Sequence, residues 1–103
     1  MSTKTIGEKL RQLREQNKMP LRKVAVLLDI DVAIISKMER GERKLSKEIV
    51  LKLAEIYNYN ADELLISFLS DKIMFEIQDE ELGEKALKLA EERVKYLKAK
   101  KKK

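Results

Sequence analysis

Residues 20–41 read PLRKVAVLLDIDVAIISKMERG, and the way this stretch divides decides the fold. Pro20 has a fixed φ suited to the start of a helix. After it, Val24, Ala25 and Leu28 recur at helical spacing, which predicts a helix over about 21–28 with one buried face. Asp29-Ile30-Asp31 breaks that pattern with two polar residues around one of buried type, and Asp31 is a good N-cap for a second helix. That segment, from Val32 to Glu39, sets Ile35 and Met38 on one side and Ala33, Ser36 and Lys37 on another. Gly41 supplies the glycine that stops it.

Two short helices joined by a tight turn, the second ended by glycine and a basic loop, make a helix-turn-helix pattern. Outward from it, the chain continues to read as helix. Thr5 and Glu8 have capping-box spacing, and Ile6, Leu10 and Leu13 then share a face. Downstream, Ser46 caps a fourth helix that buries Ile49, Val50, Leu53, Ala54 and Tyr57, and Asn60 with Glu63 marks the next start. From Ala61 to about Gln78 the apolar residues Leu64, Leu65, Phe68, Leu69, Ile73 and Ile77 favour a helix, although Ile73, Phe75 and Ile77 also alternate as a strand would. Asp79-Glu80-Glu81 places carboxylates where a helix N-terminus favours them, ahead of a stripe formed by Leu82, Ala86, Leu89, Ala90, Val94 and Leu97.

The expected fold is therefore all-α, a helix-turn-helix domain followed by an additional C-terminal amphipathic helix. Residues 1–70 are assigned to that domain, residues 71–99 to a helical extension and residues 100–103 to a disordered lysine tail.

Composition narrows the function. A chain of 103 residues has room for one domain, and 40% charged residues beside 44% hydrophobic ones describe amphipathic helices with charged outer faces. There is no Cys and no His, so disulfides, the two commonest transition-metal ligands and the usual neutral-pH acid-base residue are all missing. No glycine-rich phosphate loop or nucleophile elbow occurs, and the carboxylates, such as Asp29 with Asp31 or Glu91 with Glu92, lack calcium-loop spacing. No catalytic residue, metal or cofactor is expected. Nor does any run approach the roughly 18–20 apolar residues that cross a bilayer, so the expected location is cytoplasmic, with no membrane partner.

The net charge of +5 is unevenly placed. Residues 1–57 hold 13 Lys/Arg against 8 Asp/Glu, whereas residues 58–103 hold 10 of each. A polyanion is therefore expected to meet the first half, and another task falls to the second.

Three segments in order, Ile6 to Arg14, Ile35 to Gly41, and Leu53-Ala54 with Asp62 to Leu65, carry a family signature. The region from Ile6 to Leu65 resembles the phage-repressor and Cro-like helix-turn-helix domains, also called the xenobiotic-response-element (XRE) family. That resemblance implies a compact five-helix repressor-like domain whose third helix lies in the major groove of double-stranded DNA. It makes Val32, Ala33, Ser36 and Lys37 the base-facing residues, and Arg40, Arg43 and Lys44 backbone anchors just beyond. Arg22 and Lys23 fall where family members hold a phosphate at a helix N-terminus. Arg14 and Glu39 fit a partly buried ion pair tying helix one to helix three.

This chain departs from the family at Pro20-Leu21, where Ser or Thr followed by Gln is frequent, and at Val32-Ala33, where side chains that hydrogen-bond to bases are common. With few direct readers, operator shape is expected to share in specificity. The function implied is a sequence-specific transcriptional regulator, a repressor or controller acting as a homodimer on a palindromic operator. Leu65, Phe68, Leu69, Ile73, Ile77, Leu82, Leu89 and Val94 are assigned to the dimer interface, because a core already made by helices one to four leaves them to be buried elsewhere. The alternative is an antitoxin-like or restriction-modification-associated module whose C-terminal helices bind another protein. A third reading is a nonspecific basic nucleic-acid binder driven by the lysine tail.

Overall fold

Local signals start and stop most helices of this chain. The computed structural model describes residues 4–101, and among these every regular element is an α-helix: α1 Ile6–Gln16, α2 Leu21–Leu28, α3 Val32–Glu39, α4 Lys47–Ile56, α5 Ala61–Ile77 and α6 Gly83–Lys101. The starts carry caps of the expected kinds. Thr5 and Glu8 form a reciprocal capping box on α1, Asp31 accepts from the Ala33 N–H, Ser46 from the Ile49 N–H and Asn60 from the Glu63 N–H.

Four stops share one geometry. After α1, α2, α3 and α4 the chain enters the left-handed region at Lys18, Asp29, Gly41 and Asn58, and in each case two backbone hydrogen bonds close back over the last turn. The Met19 N–H returns to the Arg14 carbonyl, Ile30 to Ala25, Glu42 to Lys37 and Tyr59 to Ala54, the six-to-one bond of the Schellman motif. Met19, Ile30 and Tyr59, the residues just past three of these stops, pack against the core. Glu42, just past the fourth, is exposed.

The chain forms two compact units, one ending at Asp71 and the other beginning at Lys72. In the first, Ile6, Leu10 and Leu13 of α1 meet Val24, Ala25 and Leu28 of α2, Ile35 of α3, and Val50, Leu53, Ala54 and Tyr57 around α4. Leu64 and Phe68 of α5 complete this core. The expectation that helices one to four suffice is thus corrected. Phe68 is buried within the unit rather than available to a partner, and Leu65 is half-buried against the same core. Helical spacing puts Leu64, Leu65 and Phe68 on one side of α5, which is why they are enclosed together.

The Ile6 N–H donates to Asp71 Oδ2 at 2.8 Å, joining the start of α1 to residue 71 of α5. α1 passes close to α3 at Gly7, where an added Cβ would lie 2.6 Å from the Glu39 carbonyl oxygen and 2.7 Å from that of Met38. Only a residue without a side chain admits this crossing.

The helical reading of residues 61 to about 78 holds, since α5 continues through Ile77 and the alternation of Ile73, Phe75 and Ile77 is not a strand. The second unit differs from expectation in two other places. The last helix begins at Gly83 rather than at Asp79–Glu81, because those carboxylates lie in turns where the Glu80 N–H donates to the Ile77 carbonyl and the Gly83 N–H to the Glu80 carbonyl. Gly83 sits so close to Ile77 that a Cβ would be 2.6 Å from the Ile77 carbonyl oxygen, and Leu82 precedes the helix. Finally, Lys100 and Lys101 belong to α6, where cationic side chains suit a helix C-terminus, so the assigned disordered tail does not begin at residue 100. Lys102 and Lys103 lie outside the described residues.

Candidate nucleic-acid interface

Pro20 is the N-cap of α2 rather than its first helical residue, and α2 has no side-chain cap. Its first-turn N–H groups are therefore not taken by a side chain, and Arg22 and Lys23 are exposed beside them. At the other end of α2, Asp29 takes φ 55° and turns the chain, Ile30 packs against the core, and Asp31 caps α3. This three-residue turn fixes the direction in which α3 leaves.

α3 is sided. Ile35, Met38 and Glu39 are buried, whereas Val32, Ala33 and Lys37 are exposed and Ser36 is half-exposed. The structure thus brings all four base-facing candidates onto the outward surface of one helix, flanked by exposed Arg40, Arg43 and Lys44 in the loop beyond it. Among the described residues, Arg22, Lys23, Lys37, Arg43 and Lys44 form no salt bridge. Their charges are available to an incoming polyanion.

Arg40 is different. Its Nε donates to Glu42 Oε2 at 2.8 Å and its Nη2 to Glu42 Oε1 at 3.4 Å, while Nη1 donates to Ser36 Oγ. Neighbouring charge sets the titration of both partners: the Glu42 hydrogen bond raises the Arg40 pKa, and the Arg40 hydrogen bond lowers that of Glu42. Sequence reasoning assigned Arg40 and Ser36 separately and did not single out Glu42. The i, i+4 spacing of Ser36 and Arg40 was the available signal.

Behind the surface, Arg14 holds α3 from the core side. Its Nε donates to Glu39 Oε2 at 2.7 Å, its Nη2 to Glu39 Oε1 at 3.1 Å and its Nη1 to the Met19 carbonyl at 2.9 Å. The side chains are only 13% and 7% exposed. The hydrogen bond to Glu39 raises the Arg14 pKa, so the guanidinium stays charged. Tyr57 is buried nearby, and burial followed by the Glu39 charge pushes its pKa up to about 12.

A model of the helix-turn-helix family matches residues 10–64, a span that takes in α2, the turn, α3 and the first residues of α5. The chain belongs to the XRE-type helix-turn-helix family. Membership makes it a DNA-binding transcriptional regulator of XRE type. No curated protein matches it in sequence. Gly7, Arg14 and Glu39 act as parts of one device: the close crossing and the ion pair both fix α3 against α1, with Val32, Ala33 and Lys37 left exposed on its other side. None of the described helices is long and apolar enough to cross a membrane.

The residues assigned to a dimer interface divide. Phe68 is enclosed, Leu65 half-enclosed and Ile77 half-buried. Leu69, Ile73, Leu82, Leu89 and Val94 are exposed. Ile66, Met74, Phe75, Tyr96 and Leu97 are exposed as well and were not assigned. Apolar residues recur all around α5, so no single stripe marked Ile66, Met74 and Phe75 in the sequence, whereas Leu97 belongs to the apolar stripe of α6.

Proposed function

We propose that the chain is a sequence-specific regulator that inserts α3 into the major groove of double-stranded DNA and acts as a homodimer on a palindromic operator. The observation that carries this reading is the sidedness of α3. Its outward residues Val32, Ala33, Ser36 and Lys37 are followed in the next loop by Arg43 and Lys44, and Arg22 and Lys23 are exposed at the start of α2, all four cations without a salt bridge among the described residues. Lys37 donates to a base edge, and Val32 or Ala33 touches a thymine methyl. The surrounding cations hold phosphates and set register.

Dimerisation is supported by the second unit, where Gly83 is the single residue buried among those described. Phe75, Ile73, Leu82, Leu89 and Val94 are exposed there, and a two-fold partner covers such apolar side chains most simply. A two-fold dimer then reads half-sites about one helical turn apart. The same exposed residues favour one second reading, in which they bind a different protein.

Selection of duplexes from a random pool by the full chain, with sedimentation of the free protein, tests these readings together. The expected result is a palindromic motif bound by a dimer. No enrichment would remove sequence-specific regulation, and a motif without two-fold symmetry bound by a monomer would favour the different-protein reading.

A further inference from the structure

Ser36 and Arg40 lie one turn apart and are joined before any DNA arrives. The Arg40 Nη1 donates to Ser36 Oγ, and the same guanidinium is gripped on its other edge by both carboxylate oxygens of Glu42, at 2.8 and 3.4 Å. The grip is built into the backbone. Glu42 directly follows Gly41, which takes φ 76°, and the Glu42 N–H is tied to the Lys37 carbonyl at 2.8 Å, so this carboxylate hangs from a fixed turn. At the corresponding positions after α1, α2 and α4 the chain has Met19, Ile30 and Tyr59, all packed on the core. Only here is the position given to a charge, and that charge orients Arg40.

A serine hydroxyl has one hydrogen to donate and two lone pairs that accept. With the N–H of a cationic guanidinium on one lone pair, the hydroxyl hydrogen turns away from Arg40, and the polarised group becomes a better donor and a weaker acceptor for a further N–H such as that of the cytosine amino group. We infer that Ser36 and Arg40 read one base pair as a unit, Ser36 meeting the base edge as a hydrogen-bond donor, with Glu42 the positioning residue that holds Arg40 in this role. The inference rests on α3 being the major-groove helix. Its chemical content is a preference at one operator position for an acceptor, guanine O6 or N7, adenine N7 or thymine O4, over the amino group of cytosine. Arg40 then serves specificity first, and the unpaired Arg43 and Lys44 serve the phosphates.

The competing arrangement sends the hydroxyl hydrogen back to the carbonyl one turn earlier on α3, a bond that serine often makes in helices. In that case Ser36 reads nothing. The two are separated by comparing the motifs selected from a random duplex pool by the full chain and by its Ser36→Ala, Arg40→Ala, Ser36→Ala/Arg40→Ala and Glu42→Gln variants. Thermal melts of each check that the fold is kept, since Arg40 and Glu42 are exposed.

The expected result is that Ser36→Ala and Arg40→Ala each erase preference at the same single position, by on the order of five-fold as for one lost hydrogen bond. The double variant loses no more than either single one. Glu42→Gln blurs that position and raises affinity for random duplex, because one negative charge leaves the DNA-facing loop. If Arg40→Ala weakens all duplexes equally and leaves the motif intact, or Ser36→Ala leaves it intact, the inference is overturned while the regulator reading stands. If the unaltered chain enriches no sequence, the regulator reading itself falls, and the inference with it.

Discussion

The backbone N–H of Ile6 and the carboxylate of Asp71 meet at 2.8 Å across 65 residues of sequence. This bond satisfies one of the orphan donors at the start of α1 and places a negative charge at the positive end of its dipole. Asp71→Ala is expected to lower stability by about 1 kcal/mol, in the range of a lost N-terminal cap. Asp71→Asn should recover part of it. Equilibrium denaturation measures both, and an unchanged midpoint for Asp71→Ala would show the bond to be idle.

A larger effect is expected at Glu39. Its removal leaves the Arg14 guanidinium, 13% exposed, without its partner, and breaking a buried pair from one side costs about 3 kcal/mol or more. Replacing both with methionine should cost less than Glu39→Gln alone, because no charge is then stranded. Loss of DNA binding in Glu39→Gln should follow its melting curve, which circular dichroism and a binding titration over the same temperatures can compare.

Lys37 and Arg43 separate base contact from phosphate contact. Lys37→Ala should reduce affinity for the selected operator by more than for random duplex, whereas Arg43→Ala should reduce both alike and flatten the salt dependence by about one unit of slope. Fluorescence anisotropy at several salt concentrations gives both quantities.

Tyr57 gives the fold an alkaline limit. Its pKa is raised to about 12 from 10.0, so the neutral phenol is the form the folded state favours. The associated stability is fully present below pH 10 and is lost as pH rises from there through about 12, amounting to at most about 2–3 kcal/mol. Tyr57→Phe should flatten the denaturation midpoint over that interval relative to the unaltered chain, with lysine titration common to both.

Lys18 sits at φ 53°, a left-handed conformation that costs an ordinary residue about 1–2 kcal/mol and glycine nothing. Part of that gain is offset by the greater freedom of glycine in the unfolded chain. Lys18→Gly is therefore expected to stabilise by about 0.5–1 kcal/mol, readable as a higher melting temperature, without altering DNA binding.

The caps, the core faces of α1 to α4 and the outward set on α3 were legible in the sequence because each depends on residues within one or two turns. Arg14 with Glu39 was legible only through family resemblance, since nothing local joins positions 25 apart. What escaped depended on contacts made at a distance or on several sides. Phe68 has the same apolar character as Leu69, and only packing decides that one is enclosed and the other exposed. Glu42 reads as one more charge in a mixed loop until the turn at Gly41 shows where its carboxylate is held. The late start of α6 reflects Gly83 approaching Ile77, a crossing of which the acidic run Asp79–Glu81 bore no sign.

The four matching helix stops bear on how this domain folds. Each is complete within six consecutive residues, from Arg14 to Met19, Ala25 to Ile30, Lys37 to Glu42 and Ala54 to Tyr59. Helix lengths are thus fixed at short range, with little loop-closure entropy to overcome before native contacts form. Helical domains with such local wiring fold on a scale of roughly microseconds to milliseconds. A polypeptide emerging from synthesis would present a finished α3 almost as soon as the residues that brace it are available, leaving its apolar segments little time to find a wrong neighbour.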